Sequence, residues 1–193
     1  KYSFIGSLRE GYMMMAYEVP MFISILAMAV LYNSLSLVDA VNRQNFLWGF
    51  VLNPLAAIAF FGTVLMTTSR FPFDVSEAES EIVIGPYTEY SGIAFVLCLG
   101  APYAKLYVLS LFYAEVFLGG WNPLFWPLNS NPILPGLAVL VKGLIVMALC
   151  VFMRSFYPRF RIDEVLRLGW HKTLVLSIFS VVLSLALGGL KVV

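Results

Sequence analysis

The chain has 193 residues, 61% of them hydrophobic and 12% charged, with a mean hydropathy of +0.88. Soluble domains are about 45–50% apolar and about 25% charged, so folding alone cannot hide this much apolar surface, and the composition points to an integral membrane protein. Lys+Arg is 12 and Asp+Glu is 11, a net charge of +1, which excludes a basic nucleic-acid binder and an acidic disordered tail.

Hydropathy predicts five runs long enough to cross a bilayer, which takes about 20 helical residues. They fall at about Tyr12–Asn33, Trp48–Thr68, Ser91–Leu118, Ile133–Met153 and Thr173–Leu190. An all-α polytopic transmembrane helix bundle follows, because backbone in lipid must satisfy its own hydrogen bonds. The alternating pattern of a barrel strand is absent. Lys1-Tyr-Ser-Phe at the start is neither an initiator methionine nor a signal peptide, so the expectation is the C-terminal portion of a longer subunit. Residues 1–193 read as one membrane domain with an acidic loop at 69–90 and a basic loop at 154–172.

The positive-inside rule orients the spans with the N-terminus in the cytoplasm. Inner segments then hold Lys1, Arg9, Arg70, Arg154, Arg159, Arg161, Arg167 and Lys172, against Arg43 and Lys191 outside. The acids are more lopsided. Glu10, Asp74, Glu77, Glu79, Glu81, Glu89, Asp163 and Glu164 lie inside, and only Asp39 lies outside. One face is dense in charge of both signs, which predicts a docked partner or a chemical site there; the alternative is loop solubility.

The first loop carries most of this signal. Arg70-Phe-Pro-Phe-Asp-Val-Ser-Glu-Ala-Glu-Ser-Glu, ending in Thr88-Glu-Tyr-Ser-Gly92, sets Asp74, Glu77, Glu79, Glu81 and Glu89 against Arg70. Ser76-x-x-Glu79 is a capping-box pattern that predicts a short helix from Glu77, ended by Gly85-Pro86. Thr88 is a candidate N-cap for the following span. Like charges packed this closely, poorly solvated near a bilayer, favour carboxylates that exchange protons near neutral pH. The residues leave three readings open: a proton path, a cation site or a solvated acidic loop. The calcium-loop pattern fails for lack of a Gly at the sixth position from Asp74.

Charges inside spans add to this. Glu18 precedes Pro20 in the first span; intramembrane carboxylates usually face an interior path, and Pro20 frees a backbone acceptor and can kink the helix. The third span is long for a bilayer, so tilt, a protruding inner end or a break at Gly100-Ala-Pro102 is expected; Lys105 and Glu115 lie beyond that point, too far apart to pair, so each is expected to face a neighbour, the alternative for Glu115 being an outer-end residue. Lys142, mid-span in the fourth run, reads as a buried, paired or relay lysine, the alternative being snorkelling. His171 beside Trp170 is an interfacial anchor rather than a metal ligand, since no second His supports it. The loop 119–132 reads as an aromatic interface belt. There is no GxGxxG, P-loop, Ser/His/Asp set or cysteine cluster.

The Arg70–Glu81 stretch with Thr88–Gly92 resembles the signature loop of the complex I subunit 1 (NuoH) family. Gly6-Ser-Leu-Arg-Glu with Met15-Ala-Tyr-Glu-Val-Pro20 resembles that family's third-span entry. Arg154-Ser-Phe-Tyr-Pro-Arg-Phe-Arg-Ile-Asp-Glu-Val-Leu-Arg-Leu-Gly-Trp170 resembles its last cytoplasmic loop. All three agree in order and spacing, and the family's first spans are missing here. The resemblance implies a multi-pass subunit of a prokaryotic plasma membrane, with the acidic loop cytoplasmic. Its partners would be peripheral iron–sulfur and catalytic subunits and antiporter-like membrane subunits. It implies that Glu18, Asp74, Glu77, Glu79, Glu81 and Glu89 match funnel or junction carboxylates, and that Arg70, Arg159, Arg161 and Asp163 match interface-loop positions. Phe71 and Phe73 fall in the same docking or quinone-like cavity, and Glu115 and Lys142 join the candidate proton path.

Two positions depart from complex I proper. Thr67 and Ala101-Pro102-Tyr103 stand where that family carries carboxylates. The Gly-Pro-Tyr-Thr-Glu-Tyr-Ser-Gly form is closer to the energy-converting hydrogenase branch (group 4) and its sulfur-reducing relatives. That branch takes electrons from ferredoxin, with iron–sulfur clusters, and nickel–iron in a hydrogenase, in partner subunits and no cofactor or metal on this chain. The alternatives are the quinone-site subunit of complex I and a stand-alone channel or antiporter, though no internal repeat supports the last.

Overall fold

The computed structural model describes residues 1–44, 47–69, 73–75, 85–122, 133–156 and 158–189. Arg70, Phe71, Glu77, Glu79 and Glu81, and the helix expected from Glu77, lie outside the described residues. Every described element is helical: α1 (Tyr2–Tyr32), α2 (Leu37–Arg43), α3 (Gly49–Leu52), α4 (Pro54–Thr67), a 3-10 turn (Gly85–Glu89), α5 (Gly92–Phe117), α6 (Ile133–Phe152), α7 (Ile162–Arg167) and α8 (Leu174–Gly189).

The first run is longer than its hydropathy predicts. α1 has 31 residues, about 46 Å of helix, so it extends past a hydrocarbon core of about 30 Å. Pro20 is buried inside it, and the helix continues to Asn33, which closes it in the left-handed region at φ 47°. The second run is a correction. Asn53-Pro54 divides it into α3 and the 14-residue α4, because Pro54 takes the first helical position and the Asn53 side chain accepts from Ala56 N at 3.1 Å as the N-cap. Four helical stretches are long and apolar enough to span, and α4 is a shorter apolar helix beside them.

The third span starts at Gly92 after the N-cap residue Ser91, not at Thr88. Thr88 instead donates its hydroxyl to Gly85 O (3.1 Å) within the 3-10 turn. Of the three ways to absorb its length, the break at Gly100-Ala-Pro102 is absent: α5 runs unbroken for 26 residues. The last span also starts earlier than Thr173. α7 leads through a π-helical stretch, Leu168–Thr173, into α8, so the second half of the basic loop is helix.

The core is a body of α1, α4 and α8, with α5 against α4 and α6 mainly on α5. Lipid tails are as apolar as side chains, so close approach rather than water exclusion drives such packing, and small residues favour it. Ser177, Ser180 and Ser184 form a fully buried stripe on α8, each hydroxyl donating to the carbonyl three residues back. Gly169 lies so close to α1 that a Cβ there would come within 2.7 Å of Ala16 O. Asn53 completes the joint, donating Nδ2 to Ser180 O at 2.9 Å. An aromatic cluster fastens α5 to α4: Phe60 meets Phe112, Tyr113 and Phe117 at centroid distances of 5.7, 6.1 and 5.6 Å.

Candidate functional site: a charged cavity and a span lysine

At the end of the body that carries the α1 N-terminus, Arg9, Val75, Arg159, Phe160, Arg161, Ile162 and Asp163 line a cavity of about 460 Å³. Three segments distant in sequence meet there. The Arg9 guanidinium reaches Val75 O at 3.5 Å. Phe73 is buried and stacks on Phe160 at 5.4 Å between centroids, which ties the acidic loop's first residues to the 158–161 stretch. Arg161 sits at the N-cap of α7 and donates its backbone N–H to Glu164 Oε2 at 3.0 Å. Asp163 and Glu164 occupy the first turn and Arg167 the last, the arrangement the helix dipole favours. The wall therefore carries three guanidinium groups against the one carboxylate of Asp163. Guanidinium forks of this kind suit carboxylate or phosphate partners.

Of the sequence-predicted residues, Arg159, Arg161 and Asp163 line this cavity, and Phe73 packs on Phe160 in its wall. Glu89 is exposed at the end of the 3-10 turn, which packs on the start of α1; a Cβ on Gly6 would meet Pro86 at 2.7 Å. Glu18 is half-buried farther along α1. Glu115 and Lys142 belong to the opposite end, beside the α1 C-terminus, so the candidate proton-path residues divide into two separate groups.

The opposite end is organised by polar side chains that hydropathy does not flag. Gln44 is 1% exposed. Its Nε2 donates to Ala40 O, Glu115 O and Val116 O at 3.3, 3.2 and 3.0 Å, and its Oε1 accepts from Gly49 N at 3.0 Å. Lys142 ends in a cradle of three main-chain carbonyls, Leu118, Gly120 and Asn122, at 2.8, 2.7 and 2.9 Å. The Trp48 ring lies 5.0 Å from the ammonium. Gly119 and Gly120, at φ +74° and +49°, let the chain turn those carbonyls inward, a conformation that side-chain-bearing residues rarely adopt. An ammonium has three donors, and here each has an acceptor. Among the described residues Lys142 is paired with no carboxylate; its ammonium closes the C-terminal end of α5.

Arg9 and Glu10 were legible as inner-segment charges and as part of the Gly6-Ser-Leu-Arg-Glu motif, without a role of their own. Arg9 proves to line the cavity, and Glu10 Oε2 is enclosed with no hydrogen-bond partner among the described residues. The Thr67 hydroxyl and the Tyr32 OH are buried in the same condition.

Residues 1–185 match the NADH dehydrogenase family. The chain is 38% identical over 193 residues to the H subunit of F(420)H(2) dehydrogenase from Methanosarcina acetivorans, covering 97% of this chain and 55% of the relative. It is 35% identical over 184 residues to the second H subunit of NADH-quinone oxidoreductase from Rhizobium meliloti, covering 95% and 55%. A chain of the membrane-bound sulfane sulfur reductase, an archaeal respiratory membrane complex, superposes with a TM-score of 0.81 at 28% identity, over 95% of this chain and 60% of that one. The chain spans about half the length of the curated relatives it matches. With the three motif stretches, the all-helical fold and a match over nearly its whole length, the chain belongs to the NADH dehydrogenase subunit 1 (NuoH) family.

Proposed function

We propose that this chain is the membrane anchor subunit of an ion-translocating, complex I-like redox complex. It docks the peripheral electron-transfer arm and couples ferredoxin-driven hydrogen evolution or sulfur reduction to H⁺ or Na⁺ translocation. The observation that carries the reading is the cavity where Arg9, Arg159 and Arg161 meet the start of the acidic loop. A cationic, half-open wall at one end of an apolar bundle suits an acidic segment of a peripheral subunit, and its stacked Phe73 and Phe160 hold the two loops in one frame. The neighbourhood supports a proton entrance through Asp74, Glu89 and Glu18, with Glu77, Glu79 and Glu81 contributed by the same loop. Glu115 and Lys142 would act at the far end, Lys142 by holding structure there. Arg70 and Phe71 belong to the same docking loop by sequence.

In this reading the chain itself holds no redox group. Iron–sulfur clusters, and nickel–iron in a hydrogenase, belong to cytoplasmic-side partner subunits, and antiporter-like subunits adjoin it in a prokaryotic plasma membrane. A second reading, the quinone-site subunit of an NADH:quinone oxidoreductase, is favoured by the 35% identity to a protein of that name. Against it stand Thr67 and Ala101-Pro102-Tyr103, where quinone-linked members carry carboxylates.

The test is the intact complex with Arg159→Glu and Arg161→Glu introduced together. The expected result is loss of peripheral iron–sulfur protein from the membrane fraction while this chain stays inserted. Retention of the whole arm overturns the docking reading. Metal analysis of the wild-type complex separates the branches: nickel selects the hydrogenase form, and dependence of turnover on added quinone selects the second reading.

A further inference from the structure

α7 and α8 form one continuous helix interrupted by the π-helical stretch Leu168–Thr173. A π turn bonds to the fifth residue back instead of the fourth, so it takes up one extra residue, and such turns are rare outside functional sites. The buried positions show what the extra residue does. Counted from Val165 at about 100° per residue, an unbroken α-helix would put Gly169 at about 40° and Ser177, Ser180 and Ser184 at about 120°, 60° and 100°. The two buried groups would then face directions about 70° apart. Taking one residue out of the count moves the serines to about 20°, −40° and 0°. All five buried residues then share one stripe.

That stripe is held on the body at both ends. Gly169 lies so close to Ala16 of α1 that no Cβ fits between them, and Ser180 O accepts from Asn53. Inside the π stretch, Gly169 O accepts from the Leu174 N–H, five residues on, and from the Thr173 hydroxyl at 2.7 Å. The two ends also serve different places. Arg161 and Asp163, at the start of α7, line the charged cavity. Ala16, under Gly169, lies two residues before Glu18. The extra residue therefore sits between the cavity wall and the carboxylate of the first span.

We propose that the π stretch is a register joint between the docking cavity and α1. When the docked arm displaces the Arg161–Asp163 wall, the π turn tightens to α and passes its extra residue toward the irregular 158–161 stretch. Gly169 then turns by about 100° and shifts by about 1.5 Å, which releases the contact with Ala16 beside Glu18. The joint rests on the docking reading above and supplies the mechanical step which that reading lacks.

Deleting His171, which is exposed within the stretch, tests the joint in the intact complex. The deletion removes the extra residue itself, so a plain α-helix keeps both buried groups in phase and has nothing left to yield. Assembly, arm retention and the thermal midpoint should stay close to wild type. Ions moved per turnover in sealed vesicles, with reduced ferredoxin as donor, should fall about tenfold or more once the π turn is gone. Deleting Ile178, also exposed but in α8, turns Ser180 and Ser184 about 100° off the stripe and should lower the assembled yield about tenfold. Transport per turnover within about twofold of wild type in the His171 deletion overturns the proposal. So does loss of assembly in that variant, or full assembly in the Ile178 deletion. A wild-type complex that moves no ions overturns the functional reading itself and the joint with it.

Discussion

The α1–α4–α8 body and the α5–α6 pair are built from similarly apolar sequence, yet α1 and α4 bury much of theirs, while α8 packs mainly through buried serines and α5 and α6 bury little. In the body, serine, alanine and glycine at the contacts bring backbones together and polar side chains bridge to main-chain carbonyls. The α5–α6 pair presents Ile93, Val96, Leu97, Leu144 and Ile145 outward and is fixed to the body at one end, through the Phe60 cluster and the Gln44–Lys142 joints. The difference teaches that hydropathy finds a span without saying whether its partner is lipid or protein. Buried contact and the fate of each charge decide that.

Removing the joint breaks the comparison most sharply. Phe60 is 0% exposed and touches three rings of α5. Phe60→Ala removes those contacts and leaves a cavity, at a cost of about 3–5 kcal/mol. Measured as a thermal midpoint of the purified complex in detergent, it should be the most destabilising change considered for this chain. A loss below about 1 kcal/mol would mean that partner helices, not α4, hold α5 in place.

Lys142→Met probes the same end by a different force. Methionine keeps most of the stem volume but leaves the carbonyls of Leu118, Gly120 and Asn122 without their shared donor. Bonds to a charged donor are worth about 1.5–3 kcal/mol each in favourable cases and are not additive, so a net loss of about 2–3 kcal/mol is expected. Faster hydrogen exchange should be confined to residues 118–122 and the end of α5. If the residue were chiefly a proton relay, Lys142→Met would abolish ion transport with the thermal midpoint unchanged, and that pattern would refute the capping role.

Much of this was readable beforehand, and the reasons for the rest are specific. The spans announced themselves because long apolar runs have few alternatives. The Arg159–Asp163 and Phe73–Val75 stretches were readable as motifs, and they meet at one cavity through Val75 and the Phe73–Phe160 pair. The break at Asn53-Pro54 carried an ordinary turn signal, but an uninterrupted apolar run masked it. Pro102 carried the same kind of signal and broke nothing, since neighbouring packing and local adjustment can satisfy a freed carbonyl in a membrane helix. The Gln44 and Lys142 joints were invisible because their partners are backbone carbonyls, which every residue has. The division of Glu18 from Glu115 and Lys142 was open to sequence reading through the order of the spans, but the carbonyl partners of Lys142 were not.

The smallest expected effect lies inside the body, at Thr67. Its side chain is 4% exposed, and its hydroxyl has no partner among the described residues. A buried, unsatisfied hydroxyl is itself a cost, so replacing it by a methyl of similar shape should be nearly neutral or slightly stabilising, within about 1 kcal/mol. Thr67→Val should therefore leave both the thermal midpoint and coupled transport close to wild type. The contrast with Lys142→Met is the informative part: one polar group organises its surroundings and the other is merely enclosed by them. Transport lost in Thr67→Val at unchanged stability would mean that this hydroxyl carries part of the route that a carboxylate serves in quinone-linked relatives, and the quiet interior of the body would then belong to the ion path.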